Sequence, residues 1–186
     1  AVAFPVLADT EVPRRLQIAM SREKEDREHL QTNTDAEIYN ITCYGFHEDT
    51  VHPDRYQPEL EEELRKITED YDPDVIHCFG TEYPHTLVVC RAYPHPERIL
   101  LGIQGICSLC AEAYFADLPE RVTRKVTFRD LVKRDSLRSQ QEKFARRGVM
   151  EREAIGLAGN ITGRTAWDRE VTTGWNPGAQ YYPMNE

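Results

Sequence analysis

Short apolar runs alternate with helix-like segments along most of this chain, and that alternation constrains the fold more than any other feature. Residues 58–71 have the period of an amphipathic helix. Its apolar positions, spaced by four, three and four residues, are Leu60, Leu64, Ile67 and Tyr71. The apolar runs are short and bounded by Gly, Pro, Asn or Asp, so they predict buried strands. These runs cover residues 2–7, 36–43, 75–79, 99–104, 160–164 and 179–182, and further helices are predicted over 81–92 and 166–173.

Helices that connect successive strands require parallel pairing with right-handed crossovers. The order therefore predicts an α/β fold, a Rossmann-like, doubly wound, mostly parallel sheet with helices on both faces. The 186 residues fit one domain of about 100–200 residues, so residues 1–186 are predicted to form a single Rossmann-like domain. A charged surface helix with a loop is expected over residues 9–34. Both ends of the chain resemble strands, and we therefore expect a piece of a longer protein.

Charge and cysteine content narrow the class of protein. The 32 acidic residues outnumber the 23 basic ones, and the net charge of −9 argues against nucleic acid as a partner. No apolar run approaches the roughly 20 residues that cross a bilayer. The five cysteines are an odd number, which indicates reduced thiols in a cytoplasmic protein. Cys107 and Cys110 form a single C-x-x-C without a second pair, so no metal site is predicted.

One stretch departs from the acidic balance. Residues 121–152 contain 11 Lys/Arg and 4 Asp/Glu, a net charge of +7. A helix is predicted from about residue 137 onward. Its apolar face comprises Leu137, Phe144, Gly148 and Ile155. The basic side chains either form a solvated helix face or provide a patch for an anionic membrane surface or a phosphorylated acceptor.

A first candidate site follows the third predicted strand. Gly80 makes the turn into the next helix and lets a ligand approach the backbone closely. Thr81 and Glu82 fall where the free N–H groups of a helix start gather, which predicts binding of a sugar hydroxyl or a phosphate. His77, inside the strand, is either a core histidine or a substrate-binding residue. His85, one turn into the helix, either reaches the same crevice or faces solvent.

Two further glycine turns follow the next strands. Gln104 offers both a donor and an acceptor, as recognition of sugar hydroxyls requires, although Gln104 and Gly105 also suit a plain tight turn. Arg164 is either a phosphate or acceptor contact or part of a structural ion pair. Thr165 is a good N-cap, and Asp168 has the spacing of its capping-box acid. Ligands of open α/β sheets bind beyond the carboxyl ends of the strands, so these residues are predicted to share one crevice.

Three familiar catalytic motifs are absent from the sequence. There is no G-x-G-x-x-G, so a dinucleotide site is not supported, and no G-x-x-x-x-G-K-[ST] of a P-loop enzyme. A G-x-S-x-G elbow is also missing, which weakens any interpretation as a hydrolase.

Three runs together resemble the N-terminal half of bacterial glycosyltransferases of the GT-B fold, most closely family 4. They are DPDVIHCFGTE at residues 72–82, GIQG at 102–105 and GRTAWDR at 163–169. The resemblance covers most of residues 72–186, and GRTAWDR is its most specific part. It implies a retaining transferase that moves a sugar from a nucleotide-sugar donor to a glycan or lipid-linked acceptor. It also implies cytoplasmic polysaccharide or glycolipid synthesis, without a metal or other cofactor.

Members of this family have two Rossmann-like domains, and the C-terminal one holds the nucleotide-sugar. The resemblance implies that this chain is the acceptor-side domain and that it lacks the family's first strand and donor domain. The chain alone is then expected to be inactive. Many members carry a catalytic-loop histidine where this chain has Phe79, and many have histidine where Gln104 stands. Glu82 and His85 are therefore the catalytic candidates. The alternatives are a non-catalytic Rossmann-like module for a phosphorylated ligand, and a nucleotide-sugar epimerase.

Overall fold

The computed structural model describes residues 2–6, 16–21, 38–133 and 136–184. Its chain divides into two compact units, Ala1–Glu48 and Asp49–Glu186. The first contains a three-stranded sheet, and the second contains a four-stranded sheet with the helices.

In the first unit, the central strand pairs with one parallel and one antiparallel neighbour. Its strands are β1 (Val2–Val6), β2 (Leu16–Ser21) and β3 (Ile38–His47), in the order β1-β3-β2. β1 and β3 were expected as strands, but β2 falls within residues 9–34, where a surface helix was expected. That expectation was wrong for β2, whose Leu16, Ile18 and Met20 alternate with Gln17, Ala19 and Ser21 at the period of a strand. The other residues of 9–34 lie outside the described part of the chain.

The second unit confirms the predicted α/β class. Its four strands are all parallel and hydrogen-bonded in chain order, and helices flank them in a Rossmann-like arrangement. The strands are β4 (Ile76–Phe79), β5 (Ile99–Gly102), β6 (Asn160–Gly163) and β7 (Gln180–Pro183). Parallel pairing brings all four carboxyl ends to one edge of the sheet, which we call the carboxyl edge.

The helices agree with most of the sequence predictions. They are α1 (Glu59–Tyr71), α2 (Pro84–Ala92), α3 (Cys107–Glu112), α4 (Glu120–Thr123), α5 (Phe128–Lys133), α6 (Leu137–Leu157) and α7 (Ala166–Trp175). α2 begins three residues later than expected, because Tyr83 is extended and Pro84 takes the first helical position. Thr81 and Glu82 therefore lie in the loop before the helix rather than in its first turn.

The core of the second unit lies between the sheet and α2, α3 and α6. Its most deeply buried large apolar side chains are Leu87, Ile99, Leu101, Ile106, Ile155 and Ile161. Each contributes about 1.5–3 kcal/mol to stability through removal of apolar surface from water. Gly148 lets α6 approach α3, since a Cβ there would lie 2.5 Å from the Ser108 backbone nitrogen. The predicted apolar face of α6 is thus confirmed at Gly148 and Ile155, which are both buried.

Candidate functional site

Three of the predicted turns meet at the carboxyl edge. The parallel ladder continues beyond the strands, since the Gly80 N–H donates to the Gly102 carbonyl at 2.9 Å. The Ile103 N–H likewise donates to the Thr162 carbonyl at 2.8 Å. The turns that carry Gly80, Gln104 and Arg164 therefore follow neighbouring strands, as the sequence predicted.

The turn at Gly80 is held tightly. Gly80 has φ +92°, a left-handed conformation that favours glycine. An added Cβ would lie 2.5 Å from the Glu82 Oε2 atom, and the Gly80 carbonyl accepts a hydrogen bond from Thr86 Oγ1 at 3.0 Å. The Glu82 carboxylate thus folds back over Gly80. The space that the sequence analysis assigned to a ligand is filled, at this point, by the chain's own side chain.

Thr81 is buried and its hydroxyl is used inside the protein. Thr81 Oγ1 donates to Glu151 Oε1 at 2.6 Å, and Glu151 on α6 is completely buried. Burial raises the pKa of Glu151 to about 7, although the Thr81 hydroxyl and the backbone N–H groups of Ser108 and Cys107 act in the opposite direction. A neutral or nearly neutral carboxyl at this depth costs less free energy than a charged one.

Glu151 was not among the residues predicted from the sequence, although its position within the apolar stripe of α6 could have indicated it. Phe144, Gly148, Glu151 and Ile155 follow one another at spacings of four, three and four along α6. The acid therefore falls within the apolar stripe, where a charged residue is unusual unless it has a specific partner. That partner, Thr81, is 70 positions away in the chain and could not be identified without the fold.

The two catalytic candidates lie on either side of Tyr83. Glu82 Oε2 is buried, and it has no hydrogen-bond partner within the described residues. The Glu82 carbonyl accepts a hydrogen bond from Arg147 Nε at 2.7 Å, and the Arg147 guanidinium lies 5.2 Å from the centre of the Tyr83 ring. His85 is half-buried in the first turn of α2 and stacks on Tyr83, with 5.9 Å between ring centres.

His77 lies within the sheet, beside the β5 strand. Its Nε2 atom is buried without a hydrogen-bond partner in the described residues, and burial lowers the pKa of the ring. A Cβ at Gly102 would lie 3.0 Å from that nitrogen, so glycine at this position makes room for the imidazole. The ring of Phe79 lies 4.0 Å away between centres. His77 is thus a neutral, half-buried group directly beneath the carboxyl edge.

The part of the edge formed by β5 and β6 is open. Gln104, Gly105, Arg164 and Thr165 are all exposed, and no atom of the described residues lies within 4 Å of the Cβ position at Gly105. Arg164 Nη2 is 3.5 Å from Gln104 Oε1, so the structure brings together two residues that are 60 positions apart. Guanidinium and amide together provide donors in a fixed geometry and an acceptor, which suits a phosphate or carboxylate beside a hydroxyl.

The predicted capping box of α7 is confirmed and fixes the backbone beneath this pair. Thr165 Oγ1 accepts from the Asp168 N–H at 3.1 Å, and Asp168 Oδ2 accepts from the N–H groups of Thr165 and Arg164 at 2.9 and 3.0 Å. The Arg164 side chain therefore projects from a backbone that is held by hydrogen bonds on both sides.

Exposed aromatic side chains occur at or near the ends of the strands, and they were not among the residues predicted from the sequence. Phe79 at the end of β4, Trp167 in the first turn of α7 and Tyr182 on β7 all leave large ring surfaces in solvent. Their chain positions, at or just after strand ends, were the available signal. Apolar surface beside a few fixed polar groups is typical of small-molecule sites.

The basic stretch 121–152 divides into two parts with different roles. Arg146 binds the buried Asp54 carboxylate, with Nε and Nη2 both 2.7 Å from Oδ2, and Arg147 holds the Glu82 loop. These two arginines therefore stabilise the fold. Residues 118–133, in contrast, form an exposed segment around α4 and α5.

The described residues contain neither a cluster of metal ligands nor a helix that could span a membrane. No three His, Cys, Asp or Glu side chains there converge on a point where an ion would sit. Cys107 and Cys110 are both free thiols, the first buried and the second exposed. Within the described ranges, no helix combines the length and apolar character that crossing a bilayer demands.

Comparison with known proteins provides no family for the chain. No model of a protein family matches it, and neither does any curated protein or solved structure.

Proposed function

We propose that this chain is the acceptor-side domain of a glycosyltransferase that moves a sugar from a nucleotide-sugar to a glycan or lipid-linked acceptor. The observation that carries the proposal is the exposed pair of Arg164 and Gln104, 3.5 Å apart at the carboxyl edge. The adjacent open turn at Gly105 supports it, because a ligand can approach the backbone there. The resemblance in the GRTAWDR run supplies the reaction class.

The acceptor is the ligand that this edge suits best. A sugar presents hydroxyls for the Gln104 amide, a phosphorylated lipid carrier presents an anion for Arg164, and the apolar face of a sugar ring fits an exposed aromatic such as Phe79. In the proposed arrangement the nucleotide-sugar is held mainly by a further domain, and the reaction takes place in the cytoplasm.

The reaction needs one proton acceptor and one leaving group. The acceptor oxygen forms a bond to the anomeric carbon, the bond from that carbon to the diphosphate breaks, and the diphosphate leaves with the electron pair. The proton of the acceptor hydroxyl passes to a base, for which Glu82 and His85 remain our candidates. Glu82 Oε2 has no hydrogen-bond partner in the described residues, but it is buried over Gly80, so the proposed role requires the carboxylate to turn toward the edge when the acceptor binds.

The test measures release of nucleoside diphosphate from a panel of nucleotide-sugars, with and without lipid-linked and glycan acceptors. The product of the complete reading frame is compared with this chain. Release by the former only, dependent on an acceptor, supports the proposal. Ligand binding with no turnover under any acceptor condition would favour the non-catalytic module, and an altered sugar without an acceptor would indicate an epimerase.

Arg164→Ala tests the observation that carries the proposal. A charge-assisted contact contributes about 1.5–3 kcal/mol, so we expect the KM for the acceptor to rise about 10–100-fold with a smaller change in kcat. Arg65→Ala is the matched control, because Arg65 lies on the surface of α1 and pairs with Glu62 and Glu69. Equal KM values for wild type and Arg164→Ala would contradict the proposed role of this edge.

A further inference from the structure

The segment of residues 118–133 exposes apolar and basic side chains together. Phe128 is 82% exposed and Val132 is 66% exposed, although both are apolar. Leu118, Val122 and Val126 on the same segment are also exposed. Isolated exposed apolar residues are ordinary on protein surfaces, but five within 15 residues concentrate exposed apolar side chains in one segment.

The arrangement on α5 is amphipathic in a particular way. Phe128 and Val132 are four residues apart and lie one above the other on the helix. Arg129 and Lys133 have the same spacing and form a second row, turned about 100° from the first. Apolar and cationic rows thus run side by side.

The charge of the segment contrasts with that of the whole chain. Residues 118–133 contain five Lys/Arg and two Asp/Glu, a net charge of +3, in a chain whose net charge is −9. Glu120 pairs with Arg124 in the first of the two short helices, so one of the two acids is used within the segment. The field around this segment therefore attracts anionic surfaces, while the rest of the chain repels them.

We infer that residues 118–133 bind the surface of an anionic lipid bilayer, with Phe128 and Val132 entering the headgroup region and Lys125, Arg129 and Lys133 contacting lipid phosphates. Nucleic acid would use the cations but leave the apolar row in water. A bilayer interface satisfies both rows at once, because its phosphates lie directly above its acyl chains. The inference does not depend on the proposed sugar transfer.

Co-sedimentation with vesicles tests this inference. We expect the chain to sediment with phosphatidylcholine vesicles that contain about 30% phosphatidylglycerol, and to stay in solution with pure phosphatidylcholine. Raising the salt from about 0.05 M to about 0.5 M should weaken binding, because the screening length falls several-fold. Equal sedimentation with both kinds of vesicle, or with neither, would overturn the inference.

Two double variants separate the apolar row from the cationic one. Phe128→Ser with Val132→Ser should weaken vesicle binding at least about tenfold, since it removes the side chains that enter the bilayer. Lys125→Gln with Lys133→Gln should weaken it about 25-fold at low salt, at about 1 kcal/mol for each basic residue. Circular dichroism spectra identical to wild type would show that both variants fold.

The control variants replace similarly exposed apolar residues that lie outside residues 118–133. Val149→Ser on α6, where Val149 is 70% exposed, and Val51→Ser, where Val51 is 73% exposed, should bind vesicles as the wild type does. A similar loss in these controls would mean that general surface hydrophobicity drives the binding, and would overturn the assignment to residues 118–133. Concentration-dependent self-association that Phe128→Ser abolishes, without any vesicle binding, would make this segment a contact between copies of the chain instead.

Discussion

The turns at Gly80 and Gly105 follow neighbouring strands of one sheet and reach the same edge, yet they differ in almost every physical respect. Gly80 has φ +92°, and the Glu82 carboxylate covers it. Its neighbour Thr81 is anchored to Glu151, and the backbone of Glu82 is anchored to Arg147. Gly105 is exposed, and in the part of the chain that the structure describes no atom lies within 4 Å of its Cβ position.

A glycine turn after a buried strand can thus either be held in place by side chains of a distant helix or remain exposed at the edge of the sheet. The first turn is fixed by side chains of α6, which bind the Thr81 hydroxyl and the Glu82 carbonyl. At the second turn, Gln104 and Gly105 are exposed, and Arg164 is exposed beside them at the edge. The position of a turn at the carboxyl edge is thus insufficient to make it a binding site, because side chains from distant elements decide which turn is open.

The largest expected difference between the two turns is in the free energy of unfolding when each glycine is replaced by alanine. We expect Gly80→Ala to lower the free energy of unfolding by up to about 3 kcal/mol, because its backbone has a positive φ that alanine rarely adopts; the Glu82 carboxylate, at the end of a flexible side chain, can move aside. Gly105→Ala should change it by less than about 0.5 kcal/mol. Urea unfolding measures both values. Similar values for the two variants would show that the first turn is no more constrained than the second.

A second effect concerns the pH dependence that Glu151 confers. The pKa of Glu151 is about 7 in the folded chain, and 4.5 is its ordinary value, which we take for the unfolded chain. Between pH 4.5 and pH 7 the folded chain therefore keeps a proton on Glu151 that the unfolded chain has lost. The stabilisation is therefore fully present below about pH 4.5 and is lost as the pH rises to about 7, in total about 3 kcal/mol.

The matched variant for this effect is Glu151→Gln, which keeps an oxygen for the Thr81 hydroxyl but does not titrate. The difference in unfolding free energy between wild type and variant should fall by about 3 kcal/mol from pH 4.5 to pH 7.5. Urea titrations at several pH values measure it. Parallel pH profiles would show that Glu151 keeps its charge in the folded chain.

The smallest expected changes in unfolding free energy come from two neighbouring residues on the open side of the edge, one assigned to stability and one to binding. Thr165→Ala removes the cap of α7 and should cost about 1 kcal/mol of unfolding free energy. Arg164→Ala should cost less than about 0.5 kcal/mol, since its side chain is exposed, whereas under the proposed function it should weaken acceptor binding. Thermal unfolding compares the two. A larger loss for Arg164→Ala would assign this arginine to the structure rather than to a ligand.

Much of the fold was predictable because it depends on local patterns. The four parallel strands, α1, α6 and the capping box of α7 all follow from apolar periods and cap residues that lie close together in the sequence. β2 was missed because the charged residues around it dominated the interpretation of residues 9–34. The start of α2 was placed too early, since the preference for an extended Tyr83 before Pro84 was not considered.

The candidate site was predictable only as a set of strand ends. The pattern predicted that the turns carrying Gly80, Gln104 and Arg164 share an edge, and they do. It could not predict that Thr81 is buried, because that depends on an acid far along the chain. It could not predict the function of Arg147 either, since a basic residue in a basic stretch gives no sign of the carbonyl that it binds.

The 70 positions between Thr81 and Glu151 also set a delay during synthesis. At about 5–20 residues per second, a ribosome completes Glu151 roughly 4–14 s after Thr81. Throughout that interval the first turn of the site has its strand but lacks its anchor. A nascent chain stopped before α6 would therefore carry an unfinished carboxyl edge, and the two sides of the candidate site can become distinct only once that helix has left the ribosome.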